Sequence, residues 1–402
     1  MRKLSYFLFL ALLIILSCKN GQKSKSNGKV LINASETYQH DRDFLKKHIA
    51  IVELSNGDSK VLIAPKYQAR VMTSSCQGDS GFSFGWINYA LIDSGKYMPH
   101  INAFGGEERF WIGPEGGQFS LFFKKGDPFD LDHWQTPAII DTVGFDLVKK
   151  QADMASFTKT FTIQNYSGTQ FHVKVDREIK LLDKQTAEKE LGIKLSGVKW
   201  IGYQTTNSIQ NIGDADWNYN NGVLSIWLLS MMKSSELNTV IIPYQKGGMN
   251  QVNDSYFGKV PAERLIKKDS VLFFKADSKF RSKIGIPPSI VKPLFGSYDA
   301  ARNVLTIIKV DFKGDKAYVN SMWEIQKEPY KGDVINAYND GVNQSGTQLG
   351  SFYEMETSSP AKELKKGQTL THVNKVFHFM GSKSALNLIA NKLLGVSVDD
   401  LK

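Results

Sequence analysis

Between Phe171 and Lys180 the chain alternates without a break: Phe171, Val173, Val175 and Ile179 fall on one parity, His172, Lys174, Asp176, Glu178 and Lys180 on the other. A two-residue period sends successive side chains to opposite faces, so the run is a strand with one buried and one solvated face, the pattern of antiparallel sheets. Arg177 sits on the apolar parity. A guanidinium there is either paired in the interior or turned toward a solvated cleft, and the second case makes it a candidate ligand contact. Short β-rich runs bounded by turn residues recur at Ile49–Leu54, Lys60–Ala64, Gln118–Phe123, Ala155–Gln164, Gly222–Leu229, Val271–Lys275, Val304–Val310, Ala317–Ile325, Phe352–Thr357 and Leu370–Phe379. Helical spacing is confined to Asp41–His48 and Ser384–Leu394. The expectation is an all-β chain: one large antiparallel β-sandwich over residues 30–402, with a few peripheral helices and no internal linker.

The first residues follow a different logic. Arg2 and Lys3 precede an apolar run, Leu4 to Leu16, too short to span a bilayer, and Ile15-Leu16-Ser17-Cys18 resembles a lipobox. Residues 1–17 are therefore expected to be a lipoprotein signal peptide, Cys18 the lipidated residue, and residues 18–29 a polar flexible tether. Lys19, not Asp, follows Cys18, so the expected location is the bacterial envelope, at the outer membrane. The formal charge of +10 is misleading, because Arg2, Lys3, Lys19, Lys23, Lys25 and Lys29 all lie in the leader and tether, leaving +4 on the domain. No basic stripe interleaved with aromatics is present, which argues against a nucleic-acid partner. With Cys18 lipidated only Cys76 remains, so no intramolecular disulfide can form and the fold rests on its apolar core. No metal-type Cys/His spacing stands out, and a monomer without metal or cofactor is expected.

Candidate site residues come from four places. In Gly105 to Gln118, charge, aromatic rings and glycines crowd one turn-strand-turn unit, and a strand period would put Glu107, Arg109 and Trp111 on one face. A carboxylate, a five-donor fork and a flat ring together suit a sugar; the alternative is an Arg-Glu pair beside a packed Trp. Glu354 and Glu356 are two apart, hence on one face with Cα atoms ~7 Å apart, and paired carboxylates can do acid and base work or bind a cation. His133 and Trp134, in the loop Asp127–Pro137, offer a proton donor beside a stacking platform, with His372, His172 and, more weakly, His100 as other histidines. Asn207 and Asn339 are further sugar contacts, although Asn339-Asp340-Gly341 also reads as a plain turn, and Lys283 reads either as a contact for an acidic sugar, together with Arg281, or as a solvated loop lysine.

Two stretches carry a family resemblance. Ile51–Gly57 with Val61–Pro65 and Gln68–Val71, and Phe352-Tyr353-Glu354-Met355-Glu356-Thr357-Ser358-Ser359-Pro360-Ala361 followed by Leu364 to His372, resemble the galactose-mutarotase-like, or aldose-1-epimerase-like, superfamily, and above all its uncharacterised lipid-anchored bacterial members. The resemblance implies a supersandwich with a sugar site on a concave sheet face, and it puts Glu356 on the family's general base. This chain departs from the family in lacking the Asn-His-x-Tyr-Phe-Asn loop, in carrying Glu354 where acid is rare, and in having Lys366 where the final turn has proline. The implied functions are a sugar mutarotase or epimerase, a glycoside hydrolase or polysaccharide lyase using the paired carboxylates, or a non-catalytic carbohydrate-binding lipoprotein.

Overall fold

Every strand pairing in the sheets is antiparallel, as the alternating pattern requires. The computed structural model describes residues 32–343 and 346–401; the leader, Cys18 and the tether lie outside them. Ten strands form the large sheet, in the order Leu265–Lys267, Val271–Lys275, Asn238–Pro243, Leu294–Asp299, Val304–Val310, Thr369–Met380, Lys199–Asn211, Gln170–Leu181, Met154–Gln164 and Asp146–Lys150. A five-stranded sheet runs Ser282–Ile286, Ile335–Asn339, Phe352–Ser358, Ser225–Lys233 and Arg109–Gly113. Three more strands, Val52–Asn56, Ser59–Ala64 and Arg70–Ser75, make a small meander whose first turn is Gly57-Asp58, between the paired Asn56 and Ser59, with Gly57 at φ +59°.

The five-stranded sheet packs one face on the large sheet. Along Phe352–Ser358 the side chains of Tyr353 and Thr357 make that contact: Tyr353 OH is 2.7 Å from Ser297 Oγ, and Thr357 Oγ1 is 2.9 Å from His372 Nε2. Strand parity then turns Glu354 and Glu356 to the opposite face. Both anticipated helices are present, Tyr38–His48 with the Thr37 hydroxyl capping its first turn and Lys383–Leu394 with Ser382 doing the same before it ends at Gly395. Lys184–Leu191 and two shorter helices, Tyr89–Ser94 and Ala138–Asp141, add to them. No helix among the described residues is long and apolar enough to cross a membrane.

Two anticipated strands are absent. Gln118–Phe123 and Ala317–Ile325 are loops, although Leu121, Phe122, Phe123, Tyr318 and Val319 are buried. Their apolar side chains pack inward while backbone groups close turns, as in Ser120 N–H to Gly117 O and Leu121 N–H to Pro114 O. A short apolar run signals burial, and only ladder partners make it a strand.

Candidate functional site

Register decides which side chains share the outward face of the five-stranded sheet. Arg109 lies opposite Leu229, Leu229 opposite Glu356, and Glu356 opposite Asn336. One step along, Met231, Glu354, Tyr338 and Lys283 form a second row. Directly opposed residues project from the same face, so Arg109 and the two glutamates meet although about 245 positions separate Arg109 from Glu354.

These charges are paired. An Arg109 Nη2 donates to Glu354 Oε1, and the guanidinium lies 4.6 Å from the Trp111 ring centroid. Lys283 Nζ and Trp227 Nε1 each donate to Glu356 Oε2 at 2.9 Å. Glu356 has no exposed surface, because Lys283 and Trp227 close over it. Four buried polar atoms on this face have no protein partner: Glu356 Oε1, Arg109 Nε, Trp111 Nε1 and Ser225 Oγ.

Over this face opens a cleft of about 700 Å³, lined by Glu115, Tyr256, Arg281, Lys283 and Trp323 among others. Burial lifts the Glu115 carboxyl above its ordinary range; Lys283 opposes the shift, Glu356 adds to it and the Trp323 indole opposes it. Glu354 is pushed up to about 7 by burial, against the pull of Arg109 and with the help of Glu356. Burial alone would lower the Lys283 pKa, but Glu356 and Glu115 outweigh it and the ammonium is held charged. Asp333 is raised to about 6 by burial, and accepts from Tyr256 OH at 2.6 Å. No group of three or more His, Cys, Asp or Glu among the described residues is arranged to hold a metal ion.

Several expected site residues lie elsewhere. Glu107 does not share a face with Arg109: Glu107 and Glu108 both turn inward ahead of the strand that starts at Arg109, so the two-residue period does not hold across them, and Glu107 lies 2.7 Å from Ser74 Oγ and 2.8 Å from His378 Nε2. Arg177 also takes the interior alternative, donating to Glu108 Oε1 at 2.9 Å and Ala69 O at 3.1 Å, with Asn207 accepting from it as well. Asn207 is thus an interior partner and no ligand contact. Asn339 projects from the packed face, where it accepts from Ser278 N–H at 2.8 Å and donates to Phe280 O at 2.9 Å. The segment expected as a turn is a strand up to Asn339.

Trp111 is on the predicted face, yet Arg109 covers it and Trp227 meets it edge-on, so its ring offers no open platform. Trp134 is buried between Phe122 and Trp323, both stacked on it at 5.8 and 5.9 Å. The tryptophan facing the cleft is Trp323, with Trp134 behind it. His133 is exposed, its Nδ1 2.6 Å from Asp130 Oδ1, which raises the imidazole pKa. Asp130 and Asp132 line the cleft, placing His133 at its rim and away from Glu356. His372 is interior, His172 bonds Thr162, and His100 Nδ1 is 2.6 Å from Trp134 O.

Lys283 corrects one of its two sequence readings: it is a buried strand residue lining the cleft, not a solvated loop lysine. Its strand signal was present in Ile284 and Ile286, which alternate with it. Glu115, Tyr256 and Trp323 were not singled out. Nothing local distinguishes them, since the cleft that unites them is assembled from six separate segments of the chain.

Residues 36–402 match the model of a family of unknown function, DUF6786. A search of curated proteins returns no match. Among solved structures, a candidate aldose 1-epimerase from Escherichia coli K12 aligns over 82% of this chain and 98% of its own with a TM-score of 0.50 at 10% identity. A galactose mutarotase-like protein from Lactobacillus casei ATCC 334 aligns over 82% of this chain and 100% of its own, with a TM-score of 0.50 at 11% identity. At such identity the likeness establishes the fold, which is the galactose-mutarotase-like sandwich.

Proposed function

The chain belongs to DUF6786, a family described as being of unknown function, and from its cleft we propose that it is a carbohydrate-binding envelope lipoprotein that exchanges the anomers of its sugar by proton transfer. The observation that carries the reading is the convergence of Glu115, Lys283 and Trp323 on one cleft above the Glu354 and Glu356 floor, in a mutarotase-like sandwich. Glu115, whose carboxyl pKa burial raises and which lines the cleft beside Lys283, accepts the anomeric hydroxyl proton. The ring C–O bond breaks as Lys283 gives a proton to the ring oxygen, and reclosure on the other face of the carbonyl returns both protons. Glu356 matches the family's base by resemblance, but here it lies beneath Lys283, so its role is to hold and charge that lysine. Glu354 holds Arg109 in place by accepting from its guanidinium. The lipobox-like Ile15–Cys18 supports attachment through Cys18 to the outer membrane.

Binding without turnover is the second reading, favoured because each floor glutamate is closed by a cation. Proton NMR on any glycan hit separates the readings. Anomer exchange above the buffer rate, lost in Glu115→Gln while binding persists, supports catalysis; saturable binding with the buffer rate throughout leaves a binder, and new reducing ends indicate a hydrolase. Failure of every mono- and oligosaccharide to bind removes the proposal.

A further inference from the structure

The cleft changes character between floor and mouth. Glu115 and Lys283 make its floor polar, whereas Leu131, Phe257 and Phe280 at its mouth are 45%, 39% and 41% exposed. Exposed apolar side chains gathered around one cleft, and not scattered, mark a surface that a ligand covers. Both mouth rings are braced from behind. The Arg281 guanidinium sits 3.9 Å from the Phe257 centroid and donates to Tyr338 OH at 3.3 Å. Arg264 lies 5.4 Å from the Phe280 centroid, and Asn339 Nδ2 holds the Phe280 carbonyl at 2.9 Å. Rings fixed in this way lose little freedom when something stacks on them.

Size and charge narrow the ligand further. A volume of about 700 Å³ falls in the range of multi-ring ligands, so one sugar ring on the floor leaves the mouth unfilled. The lining cations are already engaged, Lys283 with Glu356 and Arg281 with Phe257 and Tyr338, while the carboxylates Glu115, Asp130 and Asp132 face the same space. That balance disfavours uronate or sulfated sugars.

Building on the sugar-binding reading, we infer that the ligand is an uncharged oligosaccharide of two or more rings, the first seated on Glu115 and Lys283 and the next stacked on Phe257 and Phe280. The full chain, immobilised through its C-terminus, is probed with a glycan array of neutral and uronate-containing sugars graded from one ring to six. Affinity is expected to rise about tenfold or more from one ring to two or three neutral rings. Phe257→Ala combined with Phe280→Ala should erase that gain while leaving the monosaccharide affinity within about twofold, the range expected when the floor is untouched. Leu131→Ser, at the third mouth position, should reduce the gain in part, and near-ultraviolet circular dichroism verifies that each variant is folded. Equal affinity for one ring and several, preference for uronates, or a gain that survives in the folded double variant overturns the inference. Binding of monosaccharides alone removes only this inference, whereas binding of no glycan removes the proposed function with it.

Discussion

Lys283 Nζ lies 2.9 Å from Glu356 Oε2, and the carboxylate it covers has no exposed surface. An ion pair in that position is worth little over an apolar pair of the same shape, but removing one member strands the other. Lys283→Met should therefore destabilise the chain by about 3–5 kcal/mol, and adding Glu356→Gln should restore most of the loss. Urea unfolding of the two single variants and the double variant measures the cycle. Additive losses would mean that the two side chains do not depend on each other.

Stability should respond to pH through two buried groups of opposite sign. Burial lowers the His372 pKa from 6.5 to about 4, with its Nε2 hydrogen-bonded to Thr357. The unfolded chain binds that proton more readily, so stability is lost as pH falls from 6.5 toward 4, by about 3 kcal/mol at most. Glu354, raised to about 7, binds its proton more tightly when folded, so its contribution falls as pH rises from 4.5 to 7. His372→Asn should flatten the acid limb and Glu354→Gln should steepen the rise with pH, as read from urea midpoints between pH 4 and 7.5.

Arg177 and Glu108 form a pair in which neither side chain has exposed surface, at 2.9 Å. Arg177→Met should cost about 3–5 kcal/mol by leaving Glu108 uncompensated, yet leave glycan affinity of the folded fraction unchanged. Arg109→Met, on the sheet face beneath the cleft and paired with Glu354, should weaken glycan binding as well. Equal effects of the two variants on affinity, measured by calorimetry below the melting range, would contradict the separation of interior from site.

Cys18→Ala should abolish acyl labelling and release the protein from the membrane fraction, with the domain still folded. Continued labelling with radioactive palmitate would show that the lipobox-like stretch is no anchor.

Strand parity was readable wherever a local pattern dictated it. Phe171 to Leu181 alternates in the structure as in the sequence, with Val173, Val175 and Ile179 buried, and Glu354 and Glu356 do share a face. Gly57-Asp58 closes the first hairpin, with Asn56 still in the strand, because the turn needs a positive φ that glycine takes without steric cost. Glu107 shows where parity stops being local: it and its neighbour Glu108 both turn inward, and the charge that should have joined Arg109 meets His378. A sequence displays the two glutamates but not the irregularity that packing places between them.

What the amino-acid order determined by itself was the all-β class, the antiparallel alternation, the two longest helices and the pairing of Glu354 with Glu356 on one side of a strand. Only the tertiary structure decided which side of each sheet meets the other and which meets the cleft. Arg177 and Arg109 are both arginines on strands beside a glutamate partner; one is sealed between sheets and the other underlies a cleft, because their neighbours come from strands 69 and 245 positions away. Lys283 follows the same rule. Its charge is tolerated in the floor by Glu356, 73 positions downstream, and the field that holds it charged arises from a juxtaposition no local pattern encodes.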